Sequence, residues 1–62
     1  MLTAIFNGLE FVIVEANPVV GANLYVYRDG NCIYDYLQND INMCVRFAFE
    51  DFDVPEDIWV EG

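Results

Sequence analysis

The chain has 62 residues, 56% of them apolar and ten of them aromatic, with eleven carboxylates against two arginines and a formal charge of −9. High charge indicates disorder only when it accompanies low hydropathy, so this chain reads as one small folded domain. Lysine, histidine and serine are absent, and Thr3 is the only hydroxyl besides the four tyrosines, which removes the usual general bases and activated nucleophiles and argues against an enzyme.

Asn7-Gly8 stands between Leu2–Phe6 and Leu9–Glu15. Both residues tolerate positive φ, so the pair predicts a two-residue hairpin. Phe6 then opposes Leu9, Ala4 opposes Phe11 and Leu2 opposes Ile13, all on one apolar face. Asn17-Pro18 breaks the second strand, and Val19-Val20-Gly21-Ala22 reads as a loop or a lead-in. Asp29-Gly30 joins a second pair, Asn23–Arg28 and Asn31–Tyr36. In the simple register Tyr27 opposes Cys32 and Tyr25 opposes Tyr34, giving an aromatic face, while Val26 opposes Ile33 on the reverse. Both faces carry apolar residues, so the choice between them stays open.

From Gln38 to Asp53, Ile41, Cys44, Val45, Ala48, Phe49 and Phe52 fall on one helical stripe. Asn39 is placed to cap this helix, with Asp40 in its first turn. A strand through Val45, Phe47 and Phe49 is the alternative, but sixteen residues is long for a strand. Pro55 forces an end near Asp53. Pro55-Glu56-Asp57 suits one further helical turn, after which Ile58, Trp59 and Val60 can dock. The expected fold is α+β: a four-stranded antiparallel β-meander of two hairpins (1–37), one C-terminal α-helix packed on one face (38–53), and an acidic tail with a short turn (54–62).

A domain of about 60 residues buries only about 60% of its unfolded surface, so a homodimer is a natural supplement to the core. Met1–Phe6 has no basic stretch or long apolar run, so no signal peptide is expected. The longest apolar run, Phe11–Val14, is too short for a membrane span. Cys32 and Cys44 therefore read as reduced cytoplasmic thiols, two small buried hydrophobes rather than a disulfide.

Function is sought in the acidic third. Glu50, Asp51, Asp53, Glu56, Asp57 and Glu61 occur with no basic residue among them. Solubility accounts for such a surface, yet Glu50 and Asp51 near a helix C-terminus oppose the macrodipole. Rigidly held carboxylates can imitate nucleic-acid phosphates and attract a basic protein surface. The expectation is a non-enzymatic acidic binding protein, an inhibitor occupying a nucleic-acid-binding surface of its partner. Glu50, Asp51, Asp53, Glu56 and Asp57 would supply charge, and Met43 and Phe47, one turn apart away from the stripe, would supply an apolar anchor. The alternatives are a self-associating domain whose charge serves only solubility, and a toxin-neutralising or immunity protein. No cofactor is expected. Asp51-x-Asp53 begins like a calcium loop, but Pro55 and Glu56 stand where a ligand and the central glycine are required, and zinc lacks histidine or clustered cysteine. Direct nucleic-acid binding is excluded by two arginines against eleven carboxylates.

Overall fold

Two turns with a positive-φ residue followed by glycine organise the sheet. The computed structural model describes residues 1–17 and 21–62; the expected break at Pro18 and the Val19-Val20 lead-in fall outside them. Asn7 (φ 54°) and Gly8 (φ 78°) join β1 (Leu2–Phe6) to β2 (Leu9–Asn17), and Asp29 (φ 52°) and Gly30 (φ 81°) join β3 (Gly21–Arg28) to β4 (Asn31–Gln38). Positive φ at both central residues is the type I′ signature, whose twist matches that of the flanking strands. All neighbouring strands are antiparallel, in the order β4-β3-β2-β1-β5, where β5 is the two-residue strand Val60–Glu61.

The first hairpin has the expected register, with Leu2 opposite Ile13, Ala4 opposite Phe11 and Phe6 opposite Leu9. The second does not. Tyr27 meets Cys32, but Val26 meets Tyr34 and Tyr25 meets Asp35, so Ile33 is an extra residue in β4. This bulge reverses the expected facing of the rest of the strand. Tyr34 and Tyr36 turn to the side of Val26 and Leu24, whereas Tyr25 and Tyr27 face the other way. The expected aromatic face of Tyr25, Tyr27 and Tyr34 is thus divided between the two sides of the sheet.

The helix α1 covers Ile41–Phe52, shorter at both ends than 38–53. Its N-cap is Asp40 rather than Asn39: Asp40 is extended (φ −159°), and its Oδ1 accepts from the Met43 N–H at 2.9 Å. At the other end Asp53 adopts a left-handed conformation (φ 62°) and donates its N–H to Phe49 O at 3.0 Å, while Val54 donates to Ala48 O at 3.2 Å. Asp tolerates this region better than most residues. Pro55 then forbids a return to helix. No helical turn forms at Pro55-Glu56-Asp57. Glu56 and Asp57 make a simple turn, and the tail crosses to the far edge of the sheet, where Val60 pairs with Thr3 and Glu61 with Leu2.

Helix and tail cover the same sheet face. The fully buried side chains are Phe11, Ile13, Leu24, Val26, Val54 and Cys44, with Ala4, Ala22 and Ala48 filling the close approaches. Each of the larger ones contributes about 1.5–3 kcal/mol relative to exposure. Around them runs a chain of six rings. Trp59 meets Phe11 at 6.3 Å, Phe11 meets Phe52 at 5.4 Å, Phe52 meets Tyr34 at 5.8 Å, Tyr34 meets Tyr36 at 5.9 Å, and Tyr36 meets Phe47 at 4.3 Å. The bulge at Ile33 is what brings the two tyrosines into this chain. Trp59 Nε1 is buried with no hydrogen-bond partner among the described residues, a cost that its ring contact must outweigh.

Candidate acidic interaction site

The C-terminal end of α1 and the turn after it place five exposed carboxylates, Glu50, Asp51, Asp53, Glu56 and Asp57, on one stretch of surface. Three local devices hold them. Glu50 and Asp51 lie on the last helical turn, Asp53 is fixed by the left-handed cap, and Glu56 and Asp57 are presented by the turn after Pro55, with Val54 buried beneath as an anchor. The last helical turn carries no basic residue, so its two carboxylates oppose the helix dipole by about 0.3–1 kcal/mol each. Arg46 offsets part of this, with Nε 3.4 Å from Glu50 Oε2. Both groups are well exposed, and such a pair contributes about 0.3–0.5 kcal/mol.

The expected apolar anchor is placed differently. Met43 is exposed (46%), as the sequence suggests, but Phe47 leans over β4, packs on Tyr36 and joins the edge of the core. Phe49, assigned by periodicity to the buried stripe, is 48% exposed. The helix is therefore rotated toward β4 from the expected orientation, because Tyr34 and Tyr36 offer it a ring surface that the simple register would have turned away. Phe49, one turn before Asp53, takes the position beside the carboxylates that was assigned to Phe47.

Seven of the eleven carboxylates belong to the helix with its cap and to the tail (Asp40, Glu50, Asp51, Asp53, Glu56, Asp57, Glu61), and only Glu10 and Asp35 lie on the uncovered sheet face. The molecule thus has an acidic side and a nearly uncharged side. Among the described residues, no three carboxylates or cysteines gather closely enough to hold a metal ion.

Both cysteines are free. Cys44 is buried, as expected, and donates to Ala22 O at 3.6 Å; burial first, and the Asp40 charge second, push its thiol up to about 11. Cys32 is exposed instead of buried, on the edge strand, with Sγ 3.4 Å from Tyr34 O. Desolvation raises the Tyr36 phenol above its usual 10.0, and Tyr34, Asp51 and Asp35 add to it. A shallow open depression follows the bulge, lined by Cys32, Ile33, Tyr34, Asp35 and Tyr36. No described helix is long and apolar enough to cross a membrane. No protein-family model matches the chain, and no curated protein or solved structure matches it either.

Proposed function

We infer that this is a non-enzymatic acidic binding protein whose helix-and-tail side docks on a basic surface of a partner protein, in the manner of a nucleic-acid mimic. The observation that carries this reading is the segregation of charge. Five carboxylates are fixed by a helix end, a left-handed cap and a proline turn, although two of them work against the helix dipole. Solubility alone does not require carboxylates to be held on one side of the domain. Phe49, one turn before Asp53, supplies exposed apolar contact beside the charge, and Met43 is exposed two turns before Glu50. A reducing, cytoplasmic setting fits the two free thiols. Toxin neutralisation would use the same surface on a different basic target.

The test is capture of partners at low and high salt. Raising salt from about 50 to about 500 mM shortens the screening length from roughly 14 to 4 Å, and binding should weaken steeply. Reversing Asp51, Glu56 and Asp57 to lysine and changing Asp53→Asn, which keeps a residue tolerant of positive φ, should abolish binding through the on-rate. Phe49→Ala should raise the off-rate. Excess DNA or RNA should displace the protein from its partner. A partner retained at high salt by the charge-reversed variant would overturn the reading.

A further inference from the structure

We propose that the uncovered face of the sheet is the contact between two copies of this chain, packed face to face as a two-fold sandwich. The strand registers define that face in three rows. Val60, Thr3, Val12, Tyr25 and Asp35 form one, Ile5, Glu10, Tyr27 and Cys32 the second, and Val14, Asn23 and Leu37 the third. Ile5 is 77% exposed, Val60 62%, Leu37 59% and Val14 37%. An antiparallel sheet with a solvated face ordinarily alternates apolar-in with polar-out; here the outward positions are largely aliphatic and aromatic.

Charge and area select the occupant. The face carries two carboxylates and no arginine, so it offers nothing to an acidic or nucleic-acid partner. A basic partner is drawn to the opposite side, where seven carboxylates lie. A weakly charged, largely apolar surface is best matched by another such surface, and a two-fold axis supplies an identical one without further specification. Asp35 is on the outermost strand and Glu10 lies in the row next to the hairpin turns, so in an aligned packing both sit toward the margin while Val12, Tyr25 and Thr3 occupy the centre. Four strands about 4.8 Å apart, five to nine residues long at about 3.3 Å per residue, give a flat face of roughly 480 Å². Two such faces bury about 1,000 Å² before side-chain relief is counted, which reaches the threshold for a specific interface. The dimer would hold both acidic sides outward, making two docking surfaces per particle.

The inference does not rest on the acidic site, and salt separates the two. Added salt screens repulsion between two copies of charge −9, so self-association should tighten or stay constant where partner binding weakens. Sedimentation of the full chain should show a dimer in the micromolar range. Ile5→Thr and Leu37→Thr, which keep strand preference at exposed positions, should each weaken association at least about tenfold, a loss of about 1.4 kcal/mol, with unchanged far-UV circular dichroism. Met43→Gln, on the helix, should leave the dimer intact. A monomer at about 100 μM would overturn the proposal, since the dimer is expected in the micromolar range. So would a dimer indifferent to Ile5→Thr: pairing along the edge of β4 would involve the strand of Leu37 but not β1. A dimer broken by Met43→Gln would place the contact on the helix and equally refute it.

Discussion

The two hairpins have the same turn chemistry and opposite consequences for side-chain facing. β1–β2 and β3–β4 are each joined by two positive-φ residues ending in glycine, and in each the first pairs beyond the turn are those the turn requires. In β1–β2 that register runs to the end of β1. In β3–β4 it lasts two pairs before Ile33 intervenes. The difference teaches that a tight turn determines where strands meet, whereas the demand of the core determines which face survives along them. β4 contains four candidates for burial, Ile33, Tyr34, Tyr36 and Leu37, that no strict alternation can place together. The bulge puts the first three toward the helix and leaves Leu37 outside.

Deletions sharpen this comparison most. Removing Val12 from β2 would put Phe11 and Ile13, both fully buried, on opposite faces of the sheet. The expected outcome is loss of the fold, read as loss of a cooperative thermal transition. In the second hairpin Gly21 is the most sensitive single position. It has φ 111°, and an added Cβ would clash with Gln38 O, a backbone atom that cannot swing aside. Gly21→Ala should cost about 2–4 kcal/mol, combining backbone strain with overpacking. Gly8 and Gly30 have open space around them, so valine there should cost only the conformational penalty of about 1–2 kcal/mol; equal melting temperatures for Gly8→Val and Gly21→Ala would break this ranking.

Removing Ile33 makes the reverse claim. Without it Cys32 would precede Tyr34 directly, Tyr27–Cys32 and Val26–Tyr34 would become consecutive pairs, and every other side chain would keep its face. The domain should stay folded and lose only the packing of one half-buried side chain, about 1–2 kcal/mol. Unfolding on deletion of Ile33 would show that the extra twist of the bulge, and not only its change of facing, is needed to close β4 against the helix.

Legibility in the sequence follows the same division. Four antiparallel strands, both turns and a single helix are readable because Asn7-Gly8, Asp29-Gly30 and the Ile41-to-Phe52 periodicity are local signals. The bulge is not readable, because the tyrosines it turns inward, Tyr34 and Tyr36, are met there by rings distant in sequence, Phe52 and Phe47. From that one omission follow the misplaced Tyr34 and Tyr36, the rotation of the helix, and the exchange of Phe47 for Phe49 at the surface. β5 is invisible for a related reason: two residues have no periodicity, and only the approach of the tail to β1 makes them a strand. The carboxylates of the candidate site were easier to place, since charged residues next to a helix end and a proline have no alternative to the surface.

The smallest expected effect compares the two cysteines, one on each side of the sheet. Cys32, exposed on β4, should be open to a thiol reagent in the folded protein, while Cys44, buried under the helix against Ala22, should react only on opening. Alkaline pH probes the same difference. The Cys44 thiol stands at about 11 in the folded protein against an ordinary 9.0, so the folded state holds its proton more tightly than the unfolded chain. Its contribution is fully present below about pH 9 and is lost as pH rises toward about 11. The raised Tyr36 phenol acts in the same direction from pH 10 upward, so a falling melting temperature alone does not identify the thiol. Cys44→Ala should lower stability at pH 8 by its lost packing and flatten the decline between pH 9 and 10, whereas Tyr36→Phe should leave that interval unchanged and flatten the decline above it. If Cys44→Ala leaves the decline between pH 9 and 10 as steep as in the parent chain, the buried thiol is not the group that titrates on unfolding.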